Sequence, residues 1–276
     1  MNAALAVGLK ALRLPTMLRM LGEAQEMALR EGWSHEQYLG CLVDCELAGR
    51  QDRRVERYIC ESGLSREKTF AVFDTNLLPM KVRNEIPLLV EGTFARKAEN
   101  ILIFGLPGRG KTHLACAIGH ELVRKQIRTY FTPARRLVET LLGAKQEHQL
   151  NRALVKLDRF DVVILDDIGY VQQSAEEMEV LFDFLAERYE SRSVIVTSNL
   201  PLGEWDRIFR NPMTTMAAID RLVHHAHILE LTCDSYRARE AVMRKNGGGE
   251  KETNTPQADK MSGKQAQNLV SSAPDL

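Results

Sequence analysis

Apolar residues recur at helical spacing through roughly the first seventy positions, then condense into short continuous runs separated by amphipathic stretches. Leu14, Met17, Leu18, Leu21 and Ala28 fall on one helical stripe, and Pro15 suits a first turn. Ser34-His35-Glu36-Gln37 has the form of a capping box and opens a second helix, with Leu39, Leu42, Val43 and Leu47 on one face. The later runs predict strands at Ile101–Phe104, Arg128–Phe131, Val162–Leu165, Ser193–Thr197 and His227–Leu231. Helices are expected over 112–125, from Pro133 to about Leu142 and over Glu176–Tyr189. Strands alternating with helices predict an α/β fold with a five-stranded parallel sheet behind a small helical N-terminal domain.

Between the two parts, Phe70 to Asn100 reads as a linker through Pro79 and Pro87, with an amphipathic piece between Lys81 and Ala98. Such a segment commonly lies near the base of a nucleotide. Beyond Glu240 the chain becomes Gly-, Ser-, Gln- and Asn-rich and has no aromatic residue, so disorder is expected there. Too little foldable chain then follows the fifth strand for a full helical lid. The expected divisions are 1–70 (helical), 71–241 (nucleotide-binding) and 242–276 (tail).

The 276 residues carry 37 basic and 37 acidic side chains, so no global field advertises a nucleic-acid partner, and one must be held by local patches or by many subunits. Arg50, Arg53, Arg54 and Arg57 supply such a patch at i, i+3, i+4 and i+7. The stripe reads equally as phosphate contact or as a solvated face bridged to carboxylates. Arg135, Arg136 and Lys145 pose the same choice. Five scattered cysteines without a C-x-x-C pair suggest reduced thiols in the cytosol, and Cys41 and Cys45 read as core thiols. No secretory signal or membrane-spanning segment is evident, so a soluble cytoplasmic protein is expected. His224, His225 and His227 read as surface histidines, because no acidic or thiol ligand stands at suitable spacing.

The chemistry concentrates at Gly105-Leu106-Pro107-Gly108-Arg109-Gly110-Lys111-Thr112. It follows a strand and opens a helix, the context in which G-x-x-x-x-G-K-[ST] cradles phosphates. Lys111 would reach the β- and γ-phosphates of ATP, and Thr112 would place its hydroxyl on Mg²⁺. About 55 residues on, the third strand ends in Asp166-Asp167, where one carboxylate would hold Mg²⁺ and the other orient the attacking water. The fourth strand ends at Ser198-Asn199, whose amide would reach the γ-phosphate or that water. Arg207, Arg210 and Arg221 follow; Arg221, in Ile219-Asp220-Arg221-Leu222, would enter a neighbouring subunit's site unless it pairs with Asp220 or Glu230. Arg237 is the candidate for a second nucleotide-sensing arginine.

On GLPGRGKTHL (Gly105–Leu114), VVILDDIGY (Val162–Tyr170), ERYESRSVIVTSN (Glu187–Asn199), AIDRLVHH (Ala218–His225) and SYR (Ser235–Arg237), the chain resembles the IstB-like transposition helper ATPases of insertion sequences. These are relatives of the DnaC helicase loader within the AAA+ superfamily. The resemblance covers nearly everything up to about residue 241 and implies an ATPase using ATP and Mg²⁺. It also implies homo-oligomers assembled on duplex DNA, deformation of that DNA, and its delivery to an IstA-like partner transposase. Gly105, Pro107, Gly108, Arg109, Gly110, Lys111, Thr112, His113 and Arg237 would hold the nucleotide, Thr112 and Asp166 the metal. Asp167, Asn199 and Arg221 would act in catalysis. Many AAA+ ATPases carry Glu where this chain has Asp167. A DnaC-like loader acting on a helicase ring and single-stranded DNA is the alternative. A small-molecule P-loop kinase and a non-enzymatic, ATP-gated DNA clamp are more distant ones.

Overall fold

The computed structural model describes residues 3–170, 174–207, 212–233 and 235–236. Three helices come first: α1 (Ala3–Ala11), α2 (Pro15–Glu31) and α3 (His35–Ser62). Pro15 occupies the first turn of α2, which stops at Gly32 in the left-handed conformation. The Ser34 hydroxyl accepts from the Gln37 amide, and the Gln37 side chain accepts from the Ser34 amide, closing the expected capping box. Met17, Ala24 and Leu42 are the buried centre of a small core between these helices.

The face of α3 presented to α2 is centred on Leu42 and Glu46, one helical turn apart and both buried. Leu39, Val43 and Leu47 are rotated away from it and remain 57%, 41% and 55% exposed, so the apolar face drawn from sequence is mostly open. Further along α3, Val55, Tyr58 and Ile59 pack instead against the core of the sheet. Cys41 and Cys45 are half-buried and Cys60 is exposed; Cys116 is the fully buried thiol.

A 3-10 turn (Thr75–Leu77), α4 (Met80–Val90) and α5 (Thr93–Arg96) lead into β1 (Asn100–Phe104). Then follow α6 (Lys111–Arg124), β2 (Thr129–Pro133), α7 (Ala134–Gln146), α8 (Leu150–Leu157), β3 (Val162–Asp166), α9 (Ala175–Arg188), β4 (Ser193–Ser198), α10 (Pro212–Val223) and β5 (Ala226–Glu230). The sequence pattern predicts no helix at α8, and α7 runs four residues past its expected end. Both follow amphipathic patterns too short or too polar to separate from loop by periodicity alone.

All five strands are parallel, in the order β2-β3-β4-β1-β5. Alternate side chains of β1 enter different cores, as a sheet covered on both faces requires. Leu102 and Phe104 join the core built with α7, α9 and Trp205, while Ile101 and Ile103 join that of α4 and α6. Among the described residues no separate helical lid follows β5, and no helix is long and apolar enough to cross a membrane.

Arg188 ties the far end of this sheet together. It is 1% exposed at the last position of α9, and its guanidinium donates to the carbonyls of Leu157, Phe160, Asp161 and Ser193. These carbonyls end α8 and flank β3 and β4. Burial lowers its pKa to about 10, still far above neutrality, so the cation is retained, with both terminal nitrogens bonded to backbone carbonyls and Nε without a partner among the described residues. The ERY stretch is therefore a structural joint.

Candidate functional site

In a parallel sheet every strand ends on the same side, so the loops after β1, β3 and β4 meet along one edge. The loop after β1 turns through Gly108 and Gly110, at φ 83° and 86°, where a side chain would be strained. A Cβ at Gly110 would also stand 2.9 Å from the Phe73 ring. Lys111 opens α6, is 9% exposed, and donates from Nζ to the carbonyls of Gly105 (2.7 Å) and Leu106 (3.2 Å). Its ammonium is thereby folded back over the loop whose amides precede the helix.

Segments distant in sequence brace this loop. Arg109 donates to the Leu231 carbonyl at 2.9 Å, and the Tyr236 amide donates to the Gly108 carbonyl at 2.9 Å. Phe73 stacks with Tyr236, centroids 5.5 Å apart, and lies 4.8 Å from the His113 ring. The Tyr236 hydroxyl donates to the Asp74 carbonyl. Aromatic faces beside a phosphate loop suit a planar base, and Phe73 and Tyr236 carried no such signal in the sequence beyond the position of their segments. His113 is bonded to the Thr69 carbonyl at 3.0 Å. Burial holds its pKa below the usual 6.5, with the Lys68 charge acting in the same direction and that hydrogen bond opposing. Burial likewise pushes the Cys116 thiol, one turn on, up to about 11.

At the end of β3, the Thr197 hydroxyl donates to Asp166 Oδ1 at 2.8 Å, and the Thr197 hydroxyl oxygen accepts from the Asp167 amide at 2.8 Å. Asp167 is held at φ 62°, a conformation uncommon for a residue with a side chain. Thr197 thus fixes both aspartates, a role its sequence position as one more strand residue did not reveal. Asn199 lies just past β4, which pairs with β1, and the Gly105 amide donates to the Ser198 carbonyl at 3.3 Å. Among the described residues the buried Asn199 Oδ1 accepts no hydrogen bond, and a Cβ on Gly169 would stand 2.2 Å from it. Glycine therefore lets the segment after Asp167 pass against the amide.

Arg221 is placed differently from the rest. Its guanidinium lies over the Phe182 ring at 4.6 Å, one terminal nitrogen is buried without an acceptor, and no ion pair with Asp220 or Glu230 forms among the described residues. The ion-pair alternative drawn from sequence therefore does not describe it. Arg210 and Arg237 lie outside the described residues. Arg135 pairs with Glu139 at 2.8 Å and Lys145 with Glu179 at 2.6 Å, as surface charges do. At the opposite end of the sheet the fold supplies the acidic neighbour that the histidines lacked in sequence. Glu190 joins His224 and His225, with ligand atoms within 4.8 Å of one another and all three exposed, while His227 pairs with Glu99.

Oxygen donors at Thr112 and Asp166, beside a loop that holds an ammonium, make a set compatible with Mg²⁺ and a polyphosphate. The chain matches the model of the IstB-like ATP binding protein family over residues 7–243. It is 43% identical over 249 residues to an insertion sequence ATP-binding protein of Sinorhizobium fredii, covering 90% of this chain and 84% of the relative. It is 36% identical over 215 residues to the IS21 ATP-binding protein of Pseudomonas aeruginosa, covering 78% and 81%. Among solved structures, DnaI aligns with a TM-score of 0.52 at 21% identity over 62% of this chain and 96% of that one. The replication initiator DnaA bound to AMPPCP and single-stranded DNA aligns with 0.54 at 17% over 70% and 59%. These two likenesses concern the fold. With a P-loop at the edge of a five-stranded parallel sheet and a family match across most of its length, the chain belongs to the IstB-like ATP-binding proteins of insertion sequences, within the AAA+ superfamily.

Proposed function

We propose that this protein hydrolyses ATP to ADP and phosphate, oligomerises on duplex target DNA and remodels it, and delivers it to a partner transposase during insertion-sequence transposition. The observation that carries the enzymatic part is the convergence on one sheet edge of the Lys111 loop, the Asp166–Thr197–Asp167 bridge and Asn199. The DNA and transposase parts rest on the family.

In this reading the loop amides and Lys111 hold the phosphates, and His113 and Arg109 fix the loop they flank. Thr112 and Asp166 would hold Mg²⁺, whose charge would offset that developing on phosphate oxygens. Asp167 and Asn199 orient water. The Tyr236 ring, backed by Phe73, offers the base a stacking face beside the loop. Arg221 completes a neighbouring subunit's site after leaving Phe182, and Arg237 contacts the nucleotide. Residues 1–70 serve as a helical domain, 71–241 as the ATPase and 242–276 as a tail, in a cytoplasmic protein.

The test has two arms. Mixing Lys111→Ala subunits with Arg221→Ala subunits should restore part of the ATPase activity, because some sites then carry both residues. No activity at any ratio, with assembly intact, would remove Arg221 from the site. Nucleotide-dependent binding to long duplex DNA supports the transposition role; preference for single strands together with a helicase ring would replace it with helicase loading.

A further inference from the structure

One charged feature of the helical region lies far from the nucleotide loop in sequence and plays no part in it. Among the described residues, Arg13, Arg50, Arg53, Arg54 and Arg57 alone line an open concavity of about 340 Å³. Five permanently charged guanidiniums converge there. Two carboxylates of the same helix, Asp52 and Glu56, are turned elsewhere and line a different concavity beside Val55, Ile59 and His120.

The cluster is built from behind. Glu46, 4% exposed, accepts on one oxygen from the amides of Thr16 (2.7 Å) and Met17 (3.0 Å), which open α2. On its other oxygen it accepts from Arg50 and Arg53, both at 3.1 Å. Arg50 also donates to the Arg13 carbonyl, and Arg53 to the Thr16 hydroxyl. Gly49 permits this approach, because a Cβ there would stand 2.4 Å from Thr16 Oγ1. One buried carboxylate thus orients two arginines and the turn bearing a third. Arg54 spends one nitrogen on the neutral Gln126 amide. Arg57 lies 3.9 Å from Glu61, which Arg128 engages more closely at 3.1 Å. Most of the positive charge is left uncompensated, with Arg50, Arg53 and Arg57 each about half or more exposed.

We infer that this five-arginine concavity is a phosphate-binding surface for the backbone of duplex DNA, a second contact remote in sequence from the ATP loop. The inference rests on the DNA-binding reading above and assigns residues to it. Its shape favours a polymer over a free anion: the lining is shallow and open, and Arg50 to Arg57 spans seven helical rises, about 10 Å. About three phosphates of one strand fall within that length of duplex axis. Contacts of this type hold and position DNA without reading its sequence.

The test uses the full-length protein with a non-hydrolysable ATP analogue and a fluorescent duplex, titrated over a series of salt concentrations. The double variant Arg54→Ala/Arg57→Ala is chosen because these two side chains leave Glu46 and the α2–α3 packing alone. Its melting temperature and DNA-independent ATPase activity should match wild type. The slope of log affinity against log salt should fall by about 0.9 for each arginine, roughly 1.8 in all, with affinity about tenfold weaker at low salt for every duplex sequence. Arg54→Lys/Arg57→Lys should recover the slope. An unchanged slope in the alanine variant, with wild type binding normally, overturns the inference.

If wild type itself ignores duplex DNA, the proposed function fails first. Inorganic tripolyphosphate on a Lys111→Ala background then reports on the concavity alone. Thermal protection that the two alanines abolish reassigns the arginines to a free polyphosphate and overturns the DNA assignment, as does no protection at all.

Discussion

The nucleotide edge of the sheet and the α1–α3 region are stabilised in opposite ways. Around Lys111 the frame is backbone: five paired strands, two apolar cores and a loop clamped by carbonyls and amides. Around Glu46 only Met17, Ala24 and Leu42 form a buried apolar centre, and a single carboxylate with its four donors supplies what the core lacks. Geometry at the edge is therefore set by secondary structure that tolerates single side-chain losses outside the loop. In the helical region it depends on one polar joint.

The contrast can be broken most severely at Arg188, the exception within the sheet region. Arg188→Met leaves four carbonyls without their donor and should cost about 3–5 kcal/mol in chemical denaturation; a loss under about 1 kcal/mol would mean that water satisfies them. Lys111→Ala should reduce ATP turnover by about 10²–10³-fold, roughly 3–4 kcal/mol of transition-state stabilisation, while the melting temperature stays near wild type. Global unfolding instead would mean that Lys111 is a structural residue of the loop.

Glu46→Gln should destabilise by about 2 kcal/mol, since charge-assisted bonds to Arg50 and Arg53 are replaced by weaker ones. Burial alone would raise the Glu46 pKa, but bonds from Met17, Arg50 and Thr16 and the charge of Arg53 outweigh it and hold the group below the usual 4.5. The folded state then binds fewer protons than the unfolded chain. Its contribution is complete above pH 4.5 and disappears as pH falls through the lower folded value. Wild type should lose its advantage over Glu46→Gln in acid-denaturation curves over that window.

Thr197→Val removes the bridge between Asp166 and the Asp167 amide while keeping the shape. It should cost about 1–2 kcal/mol and slow turnover about tenfold, with nucleotide binding retained in a fluorescent-ATP titration. The smallest effect belongs to His113. Its pKa is lowered on folding, so the unfolded chain binds more protons and stability should fall as pH drops below 6.5. His113→Gln should flatten that part of the melting-temperature profile.

The same contrast governs what could be read from the sequence. The positions of the P-loop, Asp166-Asp167 and Asn199 at the ends of β1, β3 and β4 were legible because strand and turn are consecutive there and the spacing itself is the signal. Thr197 was not, because its two partners are 31 and 30 residues away and a threonine inside a strand looks ordinary. Phe73 and Tyr236 meet across more than 160 positions. In the helical region the capping box was readable, being local. The rotation of α3 departs from the apolar pattern because its buried face includes a glutamate, whereas counting apolar residues places Leu39, Val43 and Leu47 inward. Arg50 and Arg53 divide between the two readings of the stripe, anchored to a carboxylate yet facing an all-arginine concavity.

Both regions must act together if ATP at the loop governs assembly on DNA. Sedimentation velocity of wild type and Lys111→Ala with a long duplex, with and without a non-hydrolysable ATP analogue, addresses that coupling directly. Wild type should form multi-subunit complexes on the duplex only with nucleotide, and Lys111→Ala should form none. Equal complexes with and without nucleotide, or assembly by Lys111→Ala indistinguishable from wild type, would contradict it.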